Sequence, residues 1–213
     1  MATTDDQYRG TAEGLTEQRA YGWFPHPEVP EGFLGMIDEL RVLQDRVTAA
    51  APPADLVAEV TKAVADLSAR LAEHAVDERR QITGHVPDAP GRGQTLTPLL
   101  VVDDHDDQRA TGRVTFGRYY LGGNGAVHGG AIPLLFDDLM GRLANTGDRR
   151  PSRTAFLHVD YRSITPIEEE LRVTAWFESE QGRKRLLHGT LHHGDRLCAE
   201  AQSLFVELLP GQP

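Results

Sequence analysis

The sequence predicts an α+β fold in which an antiparallel sheet curls around one central helix, behind an N-terminal helical hairpin. Three patterns carry that expectation. Apolar residues recur at three- and four-residue intervals between residues 33 and 71, six apolar or alternating runs of strand length follow residue 95, and one helical-period segment interrupts those runs. An antiparallel sheet with a single long helix inserted early buries that helix by curling around it.

Composition sets the outer bounds. A chain of 213 residues with 39% hydrophobic content can bury one domain of ordinary size and carry an accessory segment. The formal charge of −10 repels nucleic-acid phosphates, so no nucleic-acid partner is expected. Only Lys62 and Lys184 are lysines, which leaves any phosphate grip mainly to arginine and its planar fork. A single cysteine, Cys198, excludes an internal disulfide and is expected in the core. Residues 1–10 lack a basic start followed by an apolar run, and no later stretch reaches membrane-spanning length. The expectation is a cytoplasmic protein with no membrane span.

Residues 1–31 are broken by Gly22, Pro25, Pro27 and Pro30 and read as an irregular arm, with Tyr21, Trp23 and Phe24 as apolar pins. Residues 32–83 form the hairpin extension. Phe33, Met36, Ile37, Leu40, Leu43 and Val47 mark one helix face; Pro52 and Pro53 stop it, and Val57, Val60, Val64, Leu67 and Leu71 mark a second at heptad-like spacing. The two stripes are expected to bury against each other and a neighbouring domain. Gly84, Pro87, Pro90, Gly91 and Gly93 define a linker over residues 84–94.

The main domain spans residues 95–209, with a short tail at 210–213. Its strands are expected at Leu96 to Val102, Ala110 to Phe116, Ala155 to Tyr161, Leu171 to Phe177, Leu186 to Leu191 and Leu197 to Leu208. Turn residues at Gln181-Gly182 and His193-Gly194-Asp195 make the last four consecutive antiparallel neighbours. The central helix runs from about Gly130 to Asn145, with a core stripe at Ile132, Leu135, Phe136, Leu139, Met140 and Leu143. Pro133 fits only near a helix start, which places His128, Gly129 and Gly130 at the positive end. Glycines there admit close approach, and free amides can stabilise a developing negative oxygen.

The segment Gly125-Ala-Val-His128-Gly-Gly-Ala-Ile-Pro-Leu-Leu-Phe-Asp137-Asp-Leu-Met-Gly141 resembles the PaaI-type branch of the hotdog-fold acyl-CoA thioesterases. His158-Val-Asp-Tyr-Arg-Ser-Ile-Thr-Pro166, the turn at Gly182-Arg183 and Ala199 to Val206 are similar to later strands of that family. The resemblance covers roughly residues 95–209. It implies a hotdog fold, an acyl-CoA substrate, and a homodimer or homotetramer in which Asp137 of one copy faces His128 and Gly129 of another. It also implies a carbonyl held by the Gly129 amide with help from His128, while Asp137 activates water or attacks directly. No separate cofactor is implied, since CoA is part of the substrate. Nine residues of helix span about 13 Å, so Asp137 cannot work beside the histidine of its own chain.

Two family positions differ. An asparagine often stands six residues before the histidine, where this chain has Gly122; Asn124 is the nearby site candidate, its other role being a turn with Gly125. A Ser or Thr often stands ten residues before the next proline, where this chain has Phe156, with Thr154 and Ser152 as neighbouring hydroxyls. Arg183, Lys184 and Arg185 are candidates for the CoA phosphates, and Arg142, Arg149, Arg150 and Arg162 are further cations. The acidic cluster Asp103 to Asp107 reads as a solvated turn, and no metal is expected. Two alternatives stay open: a non-catalytic acyl-CoA-binding or scaffold protein, and a hotdog enoyl-CoA hydratase. The second lacks a histidine at short spacing after Asp137 or Asp138.

Overall fold

The computed structural model describes residues 27–212; most of the expected arm, including Tyr21, Trp23 and Phe24, lies outside the described residues. The helices are α1 (Phe33–Ala49), α2 (Ala54–Ala72) and α3 (Ala131–Ala144). The strands are β1 (Leu99–His105), β2 (Arg109–Thr115), β3 (Leu121–Gly123), β4 (Ala126–Val127), β5 (Ser152–Tyr161), β6 (Glu170–Gln181), β7 (Lys184–His193) and β8 (Arg196–Glu207).

Six strands form one antiparallel sheet in the order β1-β2-β6-β7-β8-β5, and β3 and β4 make a separate small hairpin. The sheet curls around α3, the hotdog arrangement. All six residues of the expected α3 stripe are buried, against Leu171, Val173, Leu187, Leu191 and Phe205 of the sheet. Each such side chain contributes ~1.5–3 kcal/mol relative to exposure. Cys198 is buried here too.

β1 begins and ends three residues later than its apolar run suggests. The acids of Asp103 to Asp107 are the cause: Asp103 pairs with Arg113 across the ladder at 2.8 Å, and Asp106 Oδ1 accepts the amides of Gln108 and Arg109. Those contacts hold both carboxyls below the ordinary aspartate range, Arg113 acting on Asp103 and the Gln108 and Arg109 amides on Asp106. The cluster therefore extends and closes an edge hairpin.

The extension corrects one expectation. α1 and α2 do not bury their stripes against each other: α2 buries no residue, and Met36, Leu40, Leu43 and Val47 of α1 are all exposed. α1 docks instead through Ile37, Arg41 and Asp45, which follow one another at four-residue spacing. Ile37 is buried, Arg41 donates to the carbonyls of Gln94 and Thr97, and Asp45 accepts the Tyr119 amide at 2.8 Å. The expected linker is a bound strap rather than a free segment. Ala89 is buried, Arg142 donates to Pro87 O at 3.2 Å, and Arg92 lies 3.7 Å from the buried Asp138 carboxylate. Among the described residues no helix is long and apolar enough to cross a membrane.

Candidate active site

Asn124 and Gly125 form the two-residue turn between β3 and β4, with φ of 50° and 75°. Left-handed backbone at both positions matches the twist of a tight hairpin, which is why an asparagine–glycine pair suits it. Asn124 thus takes the turn role that its pairing with Gly125 offers. Gly122 is just as constrained: a Cβ there would lie 2.8 Å from His128 Cα and 3.0 Å from His128 N. The hairpin backbone crosses so close to His128 that no asparagine side chain fits at position 122.

That crossing positions the histidine. His128 N donates to Tyr120 O at 2.7 Å, and its imidazole Nδ1 accepts the Gly130 amide at 3.0 Å. With Nδ1 engaged as an acceptor, the neutral ring carries its proton on Nε2 and presents a donor outward. Gly130 therefore orients His128 with its amide and does not offer that amide to a ligand. Tyr161, at the end of β5, donates to Gly129 O at 2.7 Å and ties the loop to the sheet. The Gly129 amide has no acceptor among the described residues, which leaves it a free donor at the entrance to α3. Residues 128–130 are all exposed.

Asp137 sits on the one open line of α3. Its helix neighbours are buried or half-buried, whereas Asp137 is exposed between Leu134 and Gly141. Thr154 Oγ1 donates to Asp137 Oδ1 at 2.9 Å. Ser152 is occupied elsewhere, its amide and hydroxyl both meeting Asn145 Oδ1, at 2.8 and 3.1 Å, beside the end of α3. Counting from Pro166 leads to Phe156, yet the ladder to β8 shifts register between Thr154 and Phe156. This bulge changes which side chains face the helix. Thr154 pairs with the buried Phe205 on the inner face, while Phe156 pairs with Leu204 on the outer one.

Asp138, next in sequence, is buried and bound to Arg142 at 2.9 Å, so it takes no part in this open face. Arg185 is a clear correction: it is 2% exposed and donates to Ala144 O and Arg150 O, both at 2.8 Å, with Glu180 and Glu207 at 3.2 Å. Burial pulls its guanidinium below the ordinary arginine value even beside those acids. It braces the sheet to the end of α3 and is not a phosphate ligand. Arg183 donates to Glu207 O at 2.9 Å, and Lys184 is exposed at the start of β7. The other arginines are also engaged: Arg149 lies over the Phe177 ring and meets Glu180, Arg150 meets Glu207, and Arg162 meets Asp160 and Glu200.

Residue order left one site residue undecided and gave no sign of another. Thr154 was one of two neighbouring hydroxyls, and nothing in its sequence marks the bulge. Tyr161 carries no local signal, because its partner Gly129 is 32 positions away. Among the described residues no group of three or more His, Cys, Asp or Glu gathers as a metal site. The arrangement offers a free amide and an imidazole donor at one end of α3 and a hydroxyl-supported carboxylate in its middle. Such parts can polarise a carbonyl and activate water.

A family model for the thioesterase superfamily matches residues 124–199. Acyl-coenzyme A thioesterase THEM4 of Rattus norvegicus is 31% identical over 99 residues, which cover 46% of this chain and 42% of that protein. The Mus musculus protein of the same name matches to the same extent. The chain thus spans less than half the length of the curated relatives it matches. A crystal structure described as a thioesterase superfamily protein superposes with a TM-score of 0.72 at 26% identity, over 86% of this chain and 98% of its own.

Proposed function

We propose that this hotdog-fold chain, whose residues 124–199 match the thioesterase superfamily, is a PaaI-type acyl-CoA thioesterase with sites shared between two copies. The single observation that carries this reading is the exposed Asp137 carboxylate, held by Thr154 on the only open line of an otherwise buried helix. About 13 Å of helix separates it from the donors at residues 128 and 129 of its own chain, so those donors serve a carboxylate from elsewhere.

In the proposed assembly β5, a sheet edge, lies against β5 of a second copy. The thioester carbonyl oxygen accepts from the Gly129 amide and from His128 Nε2. Asp137 of the partner subunit takes a proton from water, and the resulting hydroxide attacks the carbonyl carbon. The tetrahedral intermediate collapses with cleavage of the C–S bond, and the CoA thiolate receives the proton held by Asp137. Thr154 occupies one carboxylate oxygen, leaving the other oxygen for water. Arg183 and Lys184 are the remaining cations of the basic run for the CoA phosphates.

Assaying free-thiol release across acyl-CoA chain lengths tests the reading, with Asp137→Ala as the control that removes turnover. Acyl-CoA binding without turnover at any length would instead identify a non-catalytic binder.

α1 supports the same site from behind. Asp45 holds Tyr119, and the next residue's carbonyl holds His128. Asp45→Ala is expected to lower kcat about 5-fold, corresponding to ~1 kcal/mol from one lost hydrogen bond. Asp45→Asn keeps an acceptor in place and should restore most of the rate. Equal rates for Asp45→Ala and the unaltered chain would remove α1 from the site's support.

A further inference from the structure

We propose that Tyr161 is a positioning residue that sets the tautomer of His128, acting through the single peptide group between Gly129 and Gly130. The carbonyl and the amide of that group are both engaged. Tyr161 Oη donates to Gly129 O at 2.7 Å, and Gly130 N donates to His128 Nδ1 at 3.0 Å. Neither direction is open to choice, because a carbonyl only accepts and an amide N–H only donates. The hydroxyl, the peptide and the imidazole therefore form one chain of hydrogen bonds, in which each bond polarises the next. At its far end is the proton on His128 Nε2.

The turn itself creates the need for such a lock. Ala131 N donates to His128 O at 2.9 Å, which makes residues 128–131 a β-turn with the two glycines at its centre. Gly130, at φ −72° and ψ −18°, has the backbone of the third residue of a type I turn. Turning the central peptide over converts type I to type II and carries that residue to positive φ, which glycine adopts freely. The flip rotates ψ of Gly129 and φ of Gly130, so no Cβ resists it. Once turned over, the peptide would offer its carbonyl on the side where its amide now meets Nδ1. An imidazole facing a carbonyl there carries its proton on Nδ1 and presents Nε2 outward as an acceptor. Water satisfies the exposed peptide in either orientation, whereas a hydroxyl fixed beside the carbonyl favours one. Tyr161 is fixed in that way: it pairs with Ala199 at the end of β5, and the next two amides, of Arg162 and Ser163, both donate to Cys198 O. The Gly129 amide belongs to the preceding peptide and keeps its direction in both forms.

Long-range hydrogen–nitrogen correlation spectra of the isotope-labelled full chain, taken at about pH 8.5 where ordinary imidazoles are neutral, read the tautomer directly. His128→Ala identifies the His128 signals. The expected result is a protonated Nε2 and a bare Nδ1 in the unaltered chain, and a substantial Nδ1–H population in Tyr161→Phe. That variant keeps the ring and loses only the hydroxyl, and Tyr161 is exposed, so the fold survives the change. An unmoved tautomer in Tyr161→Phe would overturn the proposal, because a purely structural tether leaves the imidazole proton where it is. Turnover is a second readout, and it rests on the reaction proposed above, in which His128 Nε2 donates to the thioester carbonyl. There kcat should fall about 5-fold in Tyr161→Phe with little change in KM, and the same substitution in the His128→Ala chain should cost nothing further. Equal losses in both backgrounds would separate Tyr161 from His128 and overturn the proposal. A shifted tautomer in a chain that hydrolyses no acyl-CoA would uphold the lock and reject the reaction.

Discussion

Asp137→Ala is expected to lower kcat for acyl-CoA hydrolysis by about 10²- to 10⁴-fold, the range a positioned general base supplies. KM should change little, because the carboxylate acts on water while the carbonyl is held at the other end of the helix. The same logic grades Thr154→Val. That substitution removes one hydrogen bond at 2.9 Å to Oδ1 and leaves the carboxylate in place, so a loss of roughly 5- to 10-fold is expected, about 1 kcal/mol. The graded pair is informative because both residues lie on the surface, where neither change should unfold the chain. Steady-state thiol release measures both. A Thr154→Val effect as large as that of Asp137→Ala would mean the hydroxyl itself takes part in the reaction.

Gly189→Val should destabilise the fold by ~3 kcal/mol or more and lower the thermal midpoint by about 10 °C. A Cβ at this β7 position would lie 2.7 Å from Met140 Cε, 3.0 Å from Thr174 O and 3.1 Å from the Phe136 ring. Met140 can move, but the Thr174 carbonyl belongs to the paired strand and cannot. Phe136 precedes Asp137, so whatever lifts α3 from the sheet also displaces the carboxylate. Gly189 is therefore the contact that lets the central helix seat at its working depth. Thermal denaturation followed by far-ultraviolet circular dichroism provides the measurement, and an unchanged midpoint would contradict this packing account.

Much of this was readable from residue order where one physical rule dominated. The α3 stripe is buried as its 3.6-residue period requires, and Asp137 falls outside that stripe and is exposed. Alternation located the strands, and the turn residues paired β6 with β7 and β7 with β8; the expectation that β5 is the neighbour of β6 is corrected, since the long connection through Pro166 lets β5 pair with β8 at the sheet edge while β2 takes the place beside β6. Where two rules compete, the sequence misleads. Arg183, Lys184 and Arg185 read as one basic patch, yet strand alternation sets Arg185 on the face of Leu187 and Leu191, and that rule prevails because four acceptors await the guanidinium. The signal was present and outweighed by charge. Thr154 differs, because the β5 bulge inserts a residue that no local pattern announces. Likewise the face by which α1 docks is Ile37, Arg41 and Asp45, whose value lies in distant backbone groups of residues 94, 97 and 119. Apolar periodicity found the helix but pointed to the wrong face.

The shared site is the central claim, and subunit mixing tests it most directly. His128→Ala and Asp137→Ala chains, each inactive alone, would be unfolded together, refolded in equal amounts and assayed for acyl-CoA hydrolysis. If each site takes its donors from one copy and its carboxylate from the other, half of the dimers are mixed and each holds one intact site, so activity returns to about a quarter of the unaltered protein. If the histidine and the carboxylate of a single chain formed the site, no mixed dimer would contain an intact one, and activity would remain at the level of the parents.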